Sequence, residues 1–410
     1  MREIKTEREL LARLESYYLF DEIKKSNAFE KKFRLAKKYV KYCLLKQKKL
    51  TNAQIARKLS LNYGTVRGWS KQIPHLIRIA SQIPAQNLPE NFKWLNFSMV
   101  GQWQYKDFIK VPIKIRSYND IIFVLRQLNS LSNNRTLQWK NNFGYISREQ
   151  AFGYVLGLMI SDADKDKNSL TSLRIRMGLS RVYEWNKNIG EALCYCLSII
   201  GIDAKRVKDG KPYNRNLNGK YIWRSQLTSF LAWMKKSCLG LDFNETTTYT
   251  EVKMDWVFRS SNDIKLWMLN GIYDGDGCAY IRGWQITNAA RPNQEFFNRL
   301  LRTFNIKSVT RGPKSIIETK ESLRLASFLP IFRFATGKVE KTNLMVKMMK
   351  NSGGILRRDD YYKIMNRIVT LNREGLQPRD IPFSIYNEFG VGIHPRRIYT
   401  VLSRRDLFGK

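Results

Sequence analysis

Two stretches of this chain repeat one unusual pattern, and the repeat limits what the chain can fold into more than any other feature. Residues 152–164, FGYVLGLMISDAD, and 266–277, LWMLNGIYDGDG, each read as an apolar helix with a glycine near its middle and an aspartate five positions later. Aligning Gly157 with Gly271 sets Asp162 opposite Asp276. A glycine inside a helix costs about 1 kcal/mol against alanine, so it needs a reason, and close approach of a second helix supplies one. If the helices cross with Gly157 facing Gly271, their C-terminal ends meet and carry Asp162 and Asp276 to one place. Acids at that end oppose the helix dipole, which makes a repeated aspartate a poor choice for stability alone. Converging carboxylates repel unless they share divalent cations, the ions that activate water and neutralise a leaving oxygen in phosphodiester hydrolysis. The structural alternative is a packed helix pair that happens to end in ordinary acids.

Each motif is followed by β-like runs (SLRIRMGLS and YIWRSQLT after the first, AYIRGWQIT after the second) and by a helix, WNKNIGEALCYCLSIIGI or NQEFFNRLLRTFNI. The sequence therefore predicts an α+β core over residues 148–350, built as a pseudo-two-fold pair of αββαββα units. The first repeat covers about 148–245 and the second about 255–350.

Composition narrows the chemistry. With 72 Lys+Arg against 35 Asp+Glu, the formal charge is +37, and a polyanion is the expected partner. Hydrophobic residues at 43% keep this from being a disordered basic arm. The 2 histidines, His75 and His394, lie far apart in the chain, which excludes histidine-based hydrolases and zinc sites. The 5 cysteines form no C-x-x-C pair, and no Walker-type phosphate loop exists. No apolar run reaches the roughly 18 residues of a membrane span, and the acidic residues of MREIKTEREL argue against a targeting peptide. A soluble, intracellular protein with no membrane partner is expected.

The flanks read as all-α. Residues 1–85 are helical, and within them Thr51 can cap a helix Asn52–Leu59, followed by a turn at Ser60-Leu61-Asn62 and a second helix Tyr63–Gln72. This spacing (residues 51–72) is that of a helix-turn-helix, with Tyr63, Arg67 and Lys71 outward for a major groove. An ordinary helical hairpin is the alternative. Residues 86–147 form a connector whose fold the sequence does not give. Residues 355–410 read as short helices that could form a second helix-turn-helix, turning at Gly390 and presenting Arg396 and Arg397, or a plain helical cap.

The motif residues resemble those of the LAGLIDADG homing endonucleases of the single-chain, two-motif kind. LNGIYDGDG is close to the family motif, while LGLMISDA departs at Ile160-Ser161 and keeps Asp162. The resemblance spans about 148–350 and implies two four-stranded saddles straddling double-stranded DNA. Arg174, Arg176 and Arg282 would be among the groove contacts. It implies cleavage of both strands across the minor groove, staggered 3′ overhangs, and Mg2+ as cofactor with Mn2+ able to substitute. It also implies a monomer acting on a long, asymmetric target, in a gene associated with intron or intein mobility. By family position, Asp162 and Asp276 hold the metal, Asn288 stands where a water-positioning Gln is usual (Ser180 or Arg181 in the first repeat), and Lys338 and Lys236 match the basic catalytic residue the family carries shortly before its last helix, mere phosphate contact being the alternative. Two other readings stay open: a non-cleaving transcription regulator descended from the family, and an intron RNA maturase. Survival of both motif aspartates, with Asp164 and Asp274 beside them, favours the enzyme.

Overall fold

The computed structural model describes residues 4–83, 89–96, 108–168, 171–207, 219–280, 283–318, 321–322, 324–325, 329, 331–350, 358–393 and 395–404. Arg282 and His394 lie outside the described residues. The architecture is α+β with small antiparallel sheets.

The N-terminal region consists of α1 (Glu7–Tyr17), α2 (Asp21–Lys24), α3 (Asn27–Gln47), α4 (Asn52–Leu59), α5 (Tyr63–Gly68) and α6 (His75–Gln82). Thr51 starts α4 through a capping box: its side chain accepts from the Gln54 amide, and the Gln54 side chain accepts from the Thr51 amide. The helix stops at Ser60, which takes a left-handed conformation (φ 48°). Asn62 then caps α5 by accepting from the Gly64 amide at 2.7 Å. This second helix ends at Gly68, short of the Gln72 expected from the sequence, with Trp69 folded inward. Ile55, Ala56, Leu59, Val66 and Trp69 pack with Tyr42 of α3 as a small core of their own.

The connector is not a linker. Strands β1 (Phe92–Asn96) and β2 (Phe108–Pro112) pair antiparallel, followed by α7 (Tyr118–Gln127) and α8 (Asn134–Phe143). Trp94, Leu95, Ile109, Val111, Ile121 and Val124 join the main hydrophobic core, as do Leu10 and Leu14 of α1 and Leu76 and Ile79 of α6.

That core is centred on α9 (Arg148–Ile160) and a later helix. After α9 come β3 (Ala163–Asn168), β4 (Leu173–Ser180), α10 (Asn186–Ile199), β5 (Ala204–Arg206), β6 (Lys220–Ser225) and α11 (Ser229–Trp233), which runs into a π-helical turn at Met234–Cys238. The second unit follows as α12 (Asn262–Gly275), β7 (Gly277–Tyr280), β8 (Gly283–Thr287), α13 (Arg291–Arg302), β9 (Val309–Arg311) and β10 (Lys314–Glu318). The two sheets have the same strand order, β3-β4-β6-β5 and β7-β8-β10-β9, and all their described pairings are antiparallel. Along β4, Leu173, Ile175, Met177 and Leu179 are buried and the alternate residues face outward, the period-two pattern of a half-covered sheet. In β8 the buried pair is Trp284 and Ile286, which leaves Gln285 and Thr287 on the other face.

The helix Thr336–Lys350 leads on to the C-terminal helices Arg358–Arg373, Ile381–Phe389 and Pro395–Ser403. The last two are separated by Gly390 in a left-handed conformation (φ 67°), as expected for that turn. Ile364, Met365, Ile368, Ile381, Ile385 and Ile398 form a separate core for this unit.

Candidate active site

Four glycines bring α9 and α12 into backbone contact. A Cβ on Gly157 would lie 2.2 Å from the Met268 carbonyl oxygen, and one on Gly271 would lie 2.4 Å from that of Tyr154. One turn earlier on α9, a Cβ on Gly153 would lie 2.6 Å from the Ile264 carbonyl oxygen; one turn later on α12, a Cβ on Gly275 would stand 2.3 Å from Ser161 Oγ and 3.4 Å from the Asp162 amide nitrogen. No side chain larger than hydrogen fits at these points. The sequence pointed to Gly157 and Gly271; Gly153 and Gly275 went unnoticed, although their spacing of four from the first pair was there to read.

Because the helices touch along their last turns, Asp162 and Asp276 emerge together and line one cavity of about 770 Å³. Burial pushes both carboxyls up. Asp276 rises to about 7, first from desolvation and then from the repulsion of Asp162 and Asp164, against the attraction of Lys338. Asp162 rises for the same first reason, with Lys338 opposing and Asp164 adding to the shift. Asp274 also reaches about 7 through burial, opposed by Lys338, Tyr154 and the backbone amides of Phe334 and Ala335. Its role differs from that of the pair: Tyr154 of α9 donates to its Oδ2 at 3.0 Å, which ties the two helices together inside the core.

Lys338 sits at the C-terminal end of α12. Its ammonium donates to the carbonyl oxygens of Tyr273 (2.9 Å), Asp274 (2.6 Å) and Gly275 (3.2 Å), three acceptors left open by the helix end. Burial lowers its pKa, while Asp274, Asp162, Cys278 and Asp276 hold it up. Among the described residues of the first repeat no ammonium takes this place: the Ile160 carbonyl at the end of α9 accepts from Thr247 Oγ1 at 2.6 Å.

The other sequence-nominated residues divide. Ser180 lines the cavity, whereas Asn288 does not: its side chain accepts from the Ala290 amide at 2.9 Å and starts the approach to α13. Gln285 and Thr287, on the outward face of β8, line the cavity instead and were missed. Lys236 is elsewhere, paired with Asp242 at 3.2 Å and Glu22 at 3.5 Å and lying over the rings of Phe20 and Phe243. Arg176 projects from β4 into solvent; Arg174 is 3.6 Å from Asp166 on the same face. Tyr63, Arg67 and Lys71 are exposed around α5, and Arg396 and Arg397 are exposed on the last helix, Arg397 over the ring of Tyr361.

Among the described residues, no group of three or more His, Cys, Asp or Glu side chains gathers as a metal cage. Four carboxylates line the cavity; Asp274 accepts from Tyr154 and Asp380 is held by Tyr183 and Lys341, which leaves Asp162 and Asp276 as hard donors, raised by burial toward the protonated form. That set fits Mg2+, which is commonly held by one or two carboxylates and otherwise keeps water and substrate phosphate oxygens.

No family model matches the chain, and no curated protein matches it. Among the described residues, no helix is long and apolar enough to cross a membrane. Solved structures do resemble it in part. The homing endonuclease I-DmoI in complex with DNA and Mn matches with 13% identity over 45% of this chain and 97% of that one, at a TM-score of 0.34. I-DmoI with DNA and Ca matches with 13% identity over 45% and 91%, at 0.33. Mesophilic variants of I-DmoI match with 12% identity over 45% and 91%, also at 0.33. At such identity and score the likeness carries no functional argument, and the geometry of this chain has to carry it.

Proposed function

We propose that the chain is a metal-dependent endonuclease that cuts both strands of double-stranded DNA at a long, asymmetric site. The observation that supports this most is the delivery of Asp162 and Asp276, by two glycine-coupled helix ends, to one cavity beside Lys338 in a chain of charge +37. A protein that only bound a polyanion would gain nothing from buried acid where phosphates must come. In this reading α9 and α12 cross on a pseudo-two-fold axis, and the two sheets straddle the duplex as saddles. Each aspartate serves one strand, and the cuts across the minor groove leave 3′ overhangs.

A bound Mg2+ would supply activation of water and neutralisation of the leaving oxygen. Asp162 and Asp276 would hold it, with the remaining positions left to water and phosphate. Lys338, fixed on three carbonyl oxygens, presents its charge to the pair without being free to wander. Gln285 and Ser180, at the cavity wall, can orient a water by hydrogen bonding. The exposed Arg67 and Lys71 by α5 extend the contact beyond the core as a helix-turn-helix, and the monomer accounts for the asymmetry of the target.

Incubation with a randomised duplex library, with and without Mg2+, followed by sequencing of the ends, tests the reading. Ends that appear only with Mg2+ and vanish in Asp162→Asn support it. Sequence-specific retention with no ends formed would favour the non-cleaving regulator, and binding confined to structured RNA would favour the maturase.

A further inference from the structure

The outward face of the second sheet and the C-terminal helices line one cavity. Cys278, Gln285 and Ile316 are cross-strand neighbours on that face, as are Thr287 and Lys314, and they line the same cavity as Arg379, Phe383 and Tyr399 of the C-terminal unit. Thr287 and Arg311 on that face remain exposed, as does Arg176 on the corresponding face of the first sheet.

The C-terminal unit has a core of its own, and among the described residues its apolar contact with the rest is a small cluster of Phe383 and Tyr386 with Leu344. A polar clasp does the remaining work. Asp380, 8% exposed, accepts from the Tyr183 hydroxyl and pairs with the Lys341 ammonium, while Arg379 donates to the Tyr183 hydroxyl at 3.2 Å. Lys341 also lies over the rings of Tyr183 and Trp185, at 5.1 and 5.7 Å. Trp185 in turn packs directly on this helix, since a Cβ on Gly337 would lie 2.3 Å from its ring. A lysine and a tyrosine hydroxyl converging on one carboxylate form the set of donors that a backbone phosphate uses.

We propose that the C-terminal unit is a lid over the second sheet and the aspartate pair, and that Asp380 holds it shut as an internal phosphate surrogate which a duplex must displace. The inference rests on the reading of the chain as a duplex-binding nuclease. Arg379, Phe383 and Tyr399 line the same cavity as Asp162 and Asp276, so the C-terminal unit stands beside the pair that a duplex has to reach, and in this proposal it moves aside as the duplex seats. Lys341, freed from Asp380, then becomes available to the incoming phosphate.

Cys278 is the probe, because it lies under the lid and is half-buried. Cys43 is the other half-buried thiol and is replaced by serine; Cys194, Cys196 and Cys238 are buried. In that background, Asp380→Asn should speed modification of Cys278 by a maleimide about tenfold, with unchanged circular dichroism, and should raise the association rate for a random-sequence duplex by a similar factor. Tyr183→Phe, which removes one contact and no charge, should do the same to a smaller extent and guards against misfolding of the first variant. Cys278 modified at the wild-type rate in both variants overturns the lid. Faster modification with an unchanged duplex association rate also overturns it, since duplex would then reach its site without lid displacement. Faster modification with no duplex bound by any of the proteins leaves a lid in place and defeats the nuclease reading instead.

Discussion

The two halves of the core share a strand order and a glycine-coupled helix, yet they end differently. At the tip of α9 a neutral hydroxyl, Thr247, caps one carbonyl; at the tip of α12 a buried ammonium, Lys338, caps three. The second sheet gives the cavity Gln285, Thr287 and Ile316, and the first gives it Leu179 and Ser180. Duplicated architecture thus supplies the meeting of two acids, while the ammonium beside them comes from the second half. A site built in this way should behave symmetrically when its acids are changed and asymmetrically when anything else is.

The largest effect follows from the acids. Asp162→Asn and Asp276→Asn should each lower double-strand cleavage by about 10²–10³-fold or more, since each removes a charge on which the chemistry depends, while duplex affinity stays near that of the parent. Single-turnover cleavage and a gel-shift titration on the same samples measure the two. A near-normal rate in either variant would break the idea that both halves serve the reaction. Next come the glycines. Gly271→Leu has to push against the Tyr154 carbonyl, 2.4 Å from where its Cβ would stand, and should destabilise the fold by about 1–3 kcal/mol or more in denaturant melts. Gly68→Ala, at the end of α5 with nothing within 4 Å of the new methyl, is the control and should leave stability unchanged or raise it by up to about 1 kcal/mol.

Lys338 separates the halves. Lys338→Met should cost about 10–100-fold in rate, whereas Lys236→Met, removed from the cavity and paired with Asp242 and Glu22, should cost little. Equal losses would mean that the asymmetry of the helix ends has no chemical consequence. Arg67→Ala should weaken duplex binding by about 1–3 kcal/mol and shorten the footprint at one end without moving the cut. An unchanged footprint would return α4 and α5 to the role of a helical appendage.

What could be read in the sequence was local or periodic. The helix crossing showed itself because glycines at Gly157 and Gly271 conflict with helix propensity, and the start of α4 because Thr51 and Gln54 form a cap within four residues. The connector could not be read: Trp94 and Ile109 choose their faces by packing on a core assembled from distant segments. Asn288 was reachable only through family position. Its side chain is used by the neighbouring Ala290 amide, a choice between capping a helix and facing a cavity that spacing alone does not decide. The clasp of Tyr183, Lys341 and Asp380 joins three segments far apart in the chain and leaves no sequence signal at all.

The smallest expected effect bears on whether the two acids sense each other. Asp276 and Asp274 stand at about 7 in the folded chain against an ordinary 3.8, so between these values the folded state binds more protons than the unfolded one. Stability of the metal-free protein should then be greatest below about pH 4 as far as these groups are concerned, and should be lost as pH rises toward 7. His75 works in the opposite sense, because burial lowers its pKa below 6.5 and its charging in the unfolded state favours unfolding in acid. A difference measurement removes that contribution. Asp162→Asn deletes the carboxylate whose repulsion, after desolvation, does most to raise Asp276, so the pH dependence of the variant's melting temperature should be shallower than the parent's between pH 5 and 7. Saturating Mg2+ should flatten the parent's curve and leave that of the variant less changed. Two curves that stay parallel throughout would mean that the carboxylates are too far apart to interact, and one cation shared between them would then have to be given up in favour of two separate sites.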